Sequence, residues 1–129
     1  MTINFKVPGQ PQGKARPRFA NRHVYTPKKT KEYEAKVRKA YLAVAKGYSY
    51  KEKPVSLTVI AYLKRAKSNK RLFATVKPDM DNIIKAIQDG LNGTAFDDDK
   101  QVIKVIAYKL YCDYPDDIPY TAVELADEE

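Results

Sequence analysis

The sequence predicts an α/β (α+β) fold, a sheet with helices packed on it, in a single domain spanning residues 1–129. Three observations carry this expectation. The length, 129 residues, suits one core and leaves little room for a second unit. Two segments, TINFKV and VSLTVIAYL, alternate at the strand period, and a third, Gln101 to Leu110, is apolar on both faces. Between them lie segments whose apolar residues recur at helical spacing.

The elements follow in order. In TINFKV, Ile3, Phe5 and Val7 share one side, and Pro8 ends the strand. Residues 8–27 hold Pro8, Pro11, Pro17 and Pro27 and read as one long loop, a kind of segment that more often serves function than mere connection. Either Thr26–Pro27 or Thr30 opens a helix. Its stripe is Tyr33, Val37, Ala40, Tyr41 and Val44, and its stop is Gly47. Val55, Leu57, Val59 and Ala61 then form the apolar face of a central strand. Lys64 to Thr75 has no strong stripe and reads as a mobile basic loop or a short helix. A second helix carries Ile83, Ile84, Ile87 and Leu91, with Gly93 at its end. Gln101 to Leu110 reads as a strand interior to the sheet with helices across it. After the turn at Pro115 and Pro119, YTAVELA is a short strand before an acidic end.

Composition narrows the function classes. At 43% hydrophobic and 31% charged, the chain is expected to fold rather than stay disordered. It has no apolar run of membrane-spanning length and no leader pattern, which predicts a cytoplasmic protein with no membrane partner. The single cysteine, Cys112, is expected to be a surface or half-buried structural thiol, since disulfide, zinc and nucleophile roles all need partners that the chain lacks.

The net charge of +8 is unevenly spread. Residues 14–39 carry ten Lys or Arg against Glu32 and Glu34, residues 64–77 are basic with no acid, and residues 113–129 are acidic. Basic runs beside an acidic centre favour a polyanion, and nucleic acid is the commonest one. The expected DNA contacts are Lys14, Arg16, Arg18, Arg22, His23, Lys67, Lys70, Arg71 and Lys77, with Phe19 and Tyr25 offering rings for stacking or tacking the loop to the core. His23, alone among arginines, reads as a phosphate contact rather than a general base.

The acidic centre runs from Lys77 to Lys109. Asp79 and Asp81 are two apart, so an extended backbone points both carboxylates one way. Asp81, Lys85 and Asp89 recur every four residues on the polar face of the second helix, and Asp97, Asp98 and Asp99 stand before the next strand. A returning strand is expected to bring the second cluster beside the first. Clustered carboxylates repel one another unless a cation neutralises them, and Mg2+ prefers such hard oxygens. The plainer reading leaves Asp79 as a helix cap, Asp81 in its first turn and residues 97–99 as an acidic turn. Lys85 is either an ion-pair partner or a group that faces a phosphate.

DMDN at Asp79–Asn82, Lys85 within NIIKAIQDGL and AFDDDKQV before the long strand resemble the RusA family of Holliday junction resolvases of bacteria and their phages. The early Pro-Gly and the Arg16, Arg18 pattern are similar too. The resemblance implies a RusA-like compact mixed β-sheet with packed helices, a homodimer, and four-way branched DNA as substrate. It implies Mg2+, with Mn2+ as a substitute, and paired symmetrical cuts. It places the catalytic residues at Asp79, Asp81, Lys85 and Asp99 and the metal ligands at Asp79, Asp81, Asp98 and Asp99. Behind them, Asn82 is expected to support the site, and Asp89, one helical turn beyond Lys85, is expected to pair with that lysine and hold its orientation. The alternatives are a non-catalytic branched-DNA or single-strand DNA-binding protein and a general structure-specific phage nuclease.

Overall fold

In a computed structural model that describes residues 1–128, the chain builds a four-stranded mixed sheet with two helices on one face. Glu129, part of the acidic end, lies outside the described residues. The elements are β1 (Thr2–Pro8), β2 (Arg18–Ala20), β3 (His23–Tyr25), α1 (Lys28–Ala45), β4 (Val55–Leu63), α2 (Met80–Leu91), a 3-10 turn (Asp99–Gln101), β5 (Val102–Tyr111) and β6 (Tyr120–Asp127). The sheet order is β1-β6-β4-β5, antiparallel except for the β4–β5 pair, while β2 and β3 form a separate hairpin.

Alternation decides which face each strand buries. Ile3, Phe5 and Val7 of β1 and Val55, Leu57, Val59, Ala61 and Leu63 of β4 all point into the core. On α2 the buried stripe is Ile83, Ala86, Ile87, Gly90 and Leu91, which meets Tyr33, Val37, Tyr41 and Ala45 of α1. The helices come close at Gly90, where an added Cβ would stand 2.7 Å from Val37 Cβ. Buried tyrosine hydroxyls need partners, and each has one. Tyr41 donates to the Tyr48 carbonyl at 2.6 Å, Tyr50 shares its proton between the Met1 and Leu125 carbonyls, and Tyr33 bonds Thr121 Oγ1 at 3.2 Å. Burial pushes the Tyr41 phenol up to about 12, with the nearby Tyr48 adding to the rise.

Four expectations change. β5 is not interior to the sheet: only β4 pairs along its length, and Ile103, Val105, Ile106 and Tyr108 are exposed. Its apolar run on both faces had suggested burial, but α1 and α2 cover one face only. The last strand is not short. β6 sits between β1 and β4 for eight residues, because its alternating Thr121, Val123 and Leu125 supply a full buried face. The loop after β1 contains the β2–β3 hairpin, whose turn residues Asn21 and Arg22 both have positive φ, the geometry that suits the twist of a tight hairpin.

Finally, residues 64–77 form no helix and are not a free loop. Arg65 donates to the carbonyls of Cys112, Asn69 and Arg71, each at 2.7 Å, and stacks over the Tyr111 ring. Tyr111 and Ala74 add backbone bonds that lay residues 72–74 along the far end of β5. Cys112 is fully buried, deeper than the surface or half-buried place expected of it. No helix among the described residues is long and apolar enough to cross a membrane.

Candidate active site

The β4–α2–β5 crossover sets the positions of the acidic residues. Because β4 and β5 are parallel, α2 must run back across the sheet between them, starting near the C-terminal end of β5 and ending near its beginning. Asp79 and Asp81 enter α2 at its N-terminus, and Asp98 and Asp99 follow its C-terminus.

Asp79 takes the N-cap position, but its side chain makes no capping bond; its carbonyl accepts from Ile83 N–H at 3.1 Å. Asp81 Oδ1 accepts from Asn82 N–H at 3.0 Å. Both carboxylates are exposed. The plain capping role considered for Asp79 is therefore not the one its side chain adopts. Lys85 is exposed one turn after Asp81 and, among the described residues, makes no ion pair.

The basic loop after β1 docks on this same helix end. Lys14 N–H donates to the Asn82 carbonyl at 2.9 Å, and an added Cβ at Gly13 would stand 3.0 Å from the Cβ atoms of Pro78 and Asn82, so any larger residue would have to push these neighbours back. A cleft lined by Gly13, Lys14, Lys77, Pro78, Asp79 and Asn82 results, and a neighbouring one adds Arg18 and Lys29 to Lys77. Lys14 itself turns inward: Nζ pairs with Glu34 at 2.7 Å and with Asp89 at 3.1 Å. Burial works to lower its pKa, but hydrogen bonds to Glu34 and Asp89 outweigh that and hold it above its ordinary value. Asp89 thus orients Lys14 rather than Lys85.

The other expected DNA contacts lie outside. Arg16 is exposed, and Arg18, Arg22 and His23 ride the exposed hairpin, where Phe19 and Val24 pair across the strands with their side chains in solvent. Lys67, Lys70, Arg71 and Lys77 are exposed on the segment that Arg65 staples, and Lys64 N–H reaches Gln10 Oε1 at 3.0 Å to join that segment to the loop.

At the far end of α2, Asp98 opens the 3-10 turn in a capping box with Gln101. Gln101 also accepts from Asp97 N–H at 2.8 Å and donates to the Tyr50 and Lys53 carbonyls, at 2.6 and 3.0 Å. It fixes the acidic turn to the lead-in of β4, a positioning role not anticipated from the sequence, although the Asp-x-x-Gln spacing signals it. Burial pushes the Asp99 carboxyl up and Asp98 adds to the rise, while hydrogen bonding with Asp99 holds Asp98 down. The Asn92 carboxamide also bears on Asp99, and its Oδ1 is buried without a hydrogen-bond partner.

The expected convergence of the two acidic clusters does not occur within one chain. At a rise of about 1.5 Å per residue, Asp81 and Asp89 stand about 12 Å apart along α2, and Asp99 lies at the Asp89–Asn92 end. Among the described residues, no three His, Cys, Asp or Glu side chains stand together as a cation site. The oxygens are of the kind Mg2+ or Mn2+ prefers, but one chain does not gather enough of them to fit the ion.

Two comparisons with known proteins bear on the site. A family model described as Endodeoxyribonuclease RusA matches residues 8–124. The chain is also 32% identical over 133 residues to the uncharacterized protein YqaN of Bacillus subtilis (strain 168), covering 88% of this chain and 90% of that one. The match takes in both acidic clusters, Lys85 and the basic loop.

Proposed function

The chain belongs to the RusA family of endodeoxyribonucleases, and from that premise we propose that it resolves four-way DNA junctions by paired, symmetrical cuts. The observation that carries this reading is the cleft at the start of α2. There the carboxylates of Asp79 and Asp81, not used as caps, stand exposed beside Lys77, within a rim that holds Arg18 and Lys29. A phosphodiester needs cations around its backbone and a hydrolytic centre needs anionic oxygens to organise the attack. This cleft supplies both.

In the proposed reaction the oxygen of a water attacks phosphorus and the bond to the 3′ oxygen breaks. The 5′ side keeps the phosphate, and the departing 3′ oxygen takes up a proton to become a hydroxyl. Lys85, exposed on the same helix face as Asp81, offsets charge on the phosphate oxygens in the transition state. Arg16, Arg18, Arg22 and His23 hold the DNA backbone, and Lys67, Lys70, Arg71 and Lys77 hold it from the second basic segment. The reading includes a requirement for Mg2+, with Mn2+ as a substitute, but no step is assigned to the ion, because one chain does not assemble its site. A cytoplasmic location fits a DNA substrate.

The test compares wild type with Asp81→Asn on four-way, flap, linear and single-stranded DNA, with Mg2+ and with EDTA. Cutting confined to the four-way junction, lost in Asp81→Asn and in EDTA while junction binding persists, is the expected result. Equal cutting of flaps would make this a general structure-selective nuclease. Binding with no cutting by wild type under any condition would leave a DNA-binding protein.

A further inference from the structure

The β2–β3 hairpin holds two apolar side chains that no other part of the described chain covers. Phe19 is 70% exposed and Val24 72%, they stand opposite each other across the two strands, and neither belongs to the core. Of the two roles open to Phe19, stacking or tacking the loop to the core, the second is thereby removed. We infer that Phe19 and Val24 form a wedge that stacks on the base-pair face left open at the branch point of junction DNA, and so set the preference for branched over linear DNA. The inference takes its partner, branched DNA, from the nuclease reading, but it does not depend on the cutting step.

A wedge must keep its shape while it displaces stacked bases. The two-residue turn at Asn21 and Arg22, with φ of 51° and 63°, has the left-handed geometry that matches the twist of paired strands. Pro17 stands immediately before β2 and Pro27 shortly after β3, and their fixed φ limits how the hairpin can swing. The loop beneath is tied to α2 by the bond from Lys14 N–H to the Asn82 carbonyl.

Alternation along the strands gives this ribbon two unlike faces. Arg18 and Tyr25 share one, and Arg18 there lines a cleft with Lys77 and Pro78. Phe19 and Val24 take the other face, and Arg22 sits at the tip. A DNA strand held by its phosphates at Arg18 lies on one side of the ribbon, so the apolar pair meets what lies on the other. In an intact duplex every base pair is stacked between neighbours and offers such a pair no surface. At the centre of a four-way junction the stacking is interrupted, and flat base faces are open to apolar and aromatic side chains. Charge selects the same partner. From Pro8 to Lys31 there are seven Lys or Arg and no acidic residue, so the apolar pair is ringed by cations alone and fits a polyanion that exposes bases.

The test separates binding from cutting. A four-way junction and a linear duplex, each carrying 2-aminopurine, a base that brightens on unstacking, are titrated in EDTA; in the junction the probe sits beside the branch point. The proteins are wild type, the double variant Phe19→Thr/Val24→Thr and the single variant Phe19→Tyr. Threonine keeps the preference for a strand while removing the apolar surface, and both positions are exposed, so the fold is retained. Wild type should brighten the junction probe and not the duplex probe. The double variant should lose the brightening and bind the junction about tenfold or more weakly, with duplex binding unchanged, while Phe19→Tyr keeps both properties. A double variant that still brightens the probe and prefers junctions overturns the inference. So does an equal loss on duplex, which would make the pair a general DNA contact, or a dark probe on a junction that wild type has bound. None of these results touches the nuclease reading, which is decided by wild-type cutting with Mg2+. A chain that brightens the junction probe as expected but cuts no DNA ends that reading and keeps the wedge.

Discussion

The Lys14 ammonium lies between Glu34 of α1, 2.7 Å away, and Asp89 of α2, 3.1 Å away, and so ties the basic loop to both helices. The side chains are only 15–20% exposed, which makes this bridge stronger than a surface pair. Its loss would leave two carboxylates facing each other.

Lys14→Met should therefore destabilise the fold by about 1–3 kcal/mol, read as a lower urea midpoint at unchanged slope. The pH dependence follows from the raised pKa of Lys14. A basic group whose folded pKa exceeds its unfolded value stabilises fully below the unfolded value, here 10.5, and loses that contribution as pH rises through the folded one. Wild type and Lys14→Met should differ by a constant amount from neutral pH to about 10 and converge above it. A gap that persists unchanged at the alkaline end would show that the pair contributes packing and not charge.

Gly90→Ala is a second stability prediction. Alanine favours a helix over glycine by about 1 kcal/mol, which alone would stabilise α2. The added methyl, however, would meet Val37 Cβ at 2.7 Å, Val37 Cγ1 at 2.8 Å and the Glu34 carbonyl oxygen at 3.1 Å, and the helices must part. Overpacking of that kind costs about 1–3 kcal/mol, so the net effect is a loss. A double variant with Val37→Ala should recover little of it, because alanine removes Cγ1 but keeps the Cβ at 2.7 Å. A Gly90→Ala protein as stable as wild type would mean that α1 and α2 sit farther apart than described.

How much of this was legible in the sequence depends on what each residue answers to. The strand faces of β1 and β4 and the stripes of both helices follow from local period, and the structure keeps them. The place of β5 at an edge does not, since a strand apolar on both sides reads the same whether it lies inside the sheet or at its edge. Asp79, Asp81 and Lys85 sit where the motif suggested, exposed at one helix end. The separation of Asp81 from Asp99 is not legible in the sequence, because a parallel crossover returns the chain to the start of the next strand, not to its end. Lys14 read as one more basic residue, and only tertiary contact with Glu34 and Asp89 shows that it faces inward.

Gln101 should behave as a positioning residue for the acidic turn. Replacing it with leucine removes four hydrogen bonds, to the Asp97 and Asp98 amides and to the Tyr50 and Lys53 carbonyls. Stability is expected to fall by about 1 kcal/mol, since only the bond to the Tyr50 carbonyl is part-buried and the other three are exposed. If the turn serves the reaction, kcat for junction cutting should fall at least about tenfold at a temperature where Gln101→Leu remains folded, with junction binding little changed. An equal loss of binding would assign the turn to the DNA interface.

Arg16 and Arg18 carry the last prediction. Neither makes an ion pair among the described residues, and both are exposed on the loop and hairpin that begin beside the Asp79 cleft. Each phosphate contact releases counterions when DNA binds and contributes about 0.9 to the slope of log K against log salt. The double change to glutamine should therefore lower that slope by about 2 for each chain bound and weaken junction binding most at low salt. On the proposed contacts of both arginines to backbone and not to bases, the loss should be alike across junction sequences. Lys14→Met offers the contrast: its ammonium is already neutralised by Glu34 and Asp89, so the slope should stay unchanged once the variant's lower stability is allowed for. A drop in slope for Lys14→Met as large as that for the arginines would mean that DNA pulls the lysine out of its bridge.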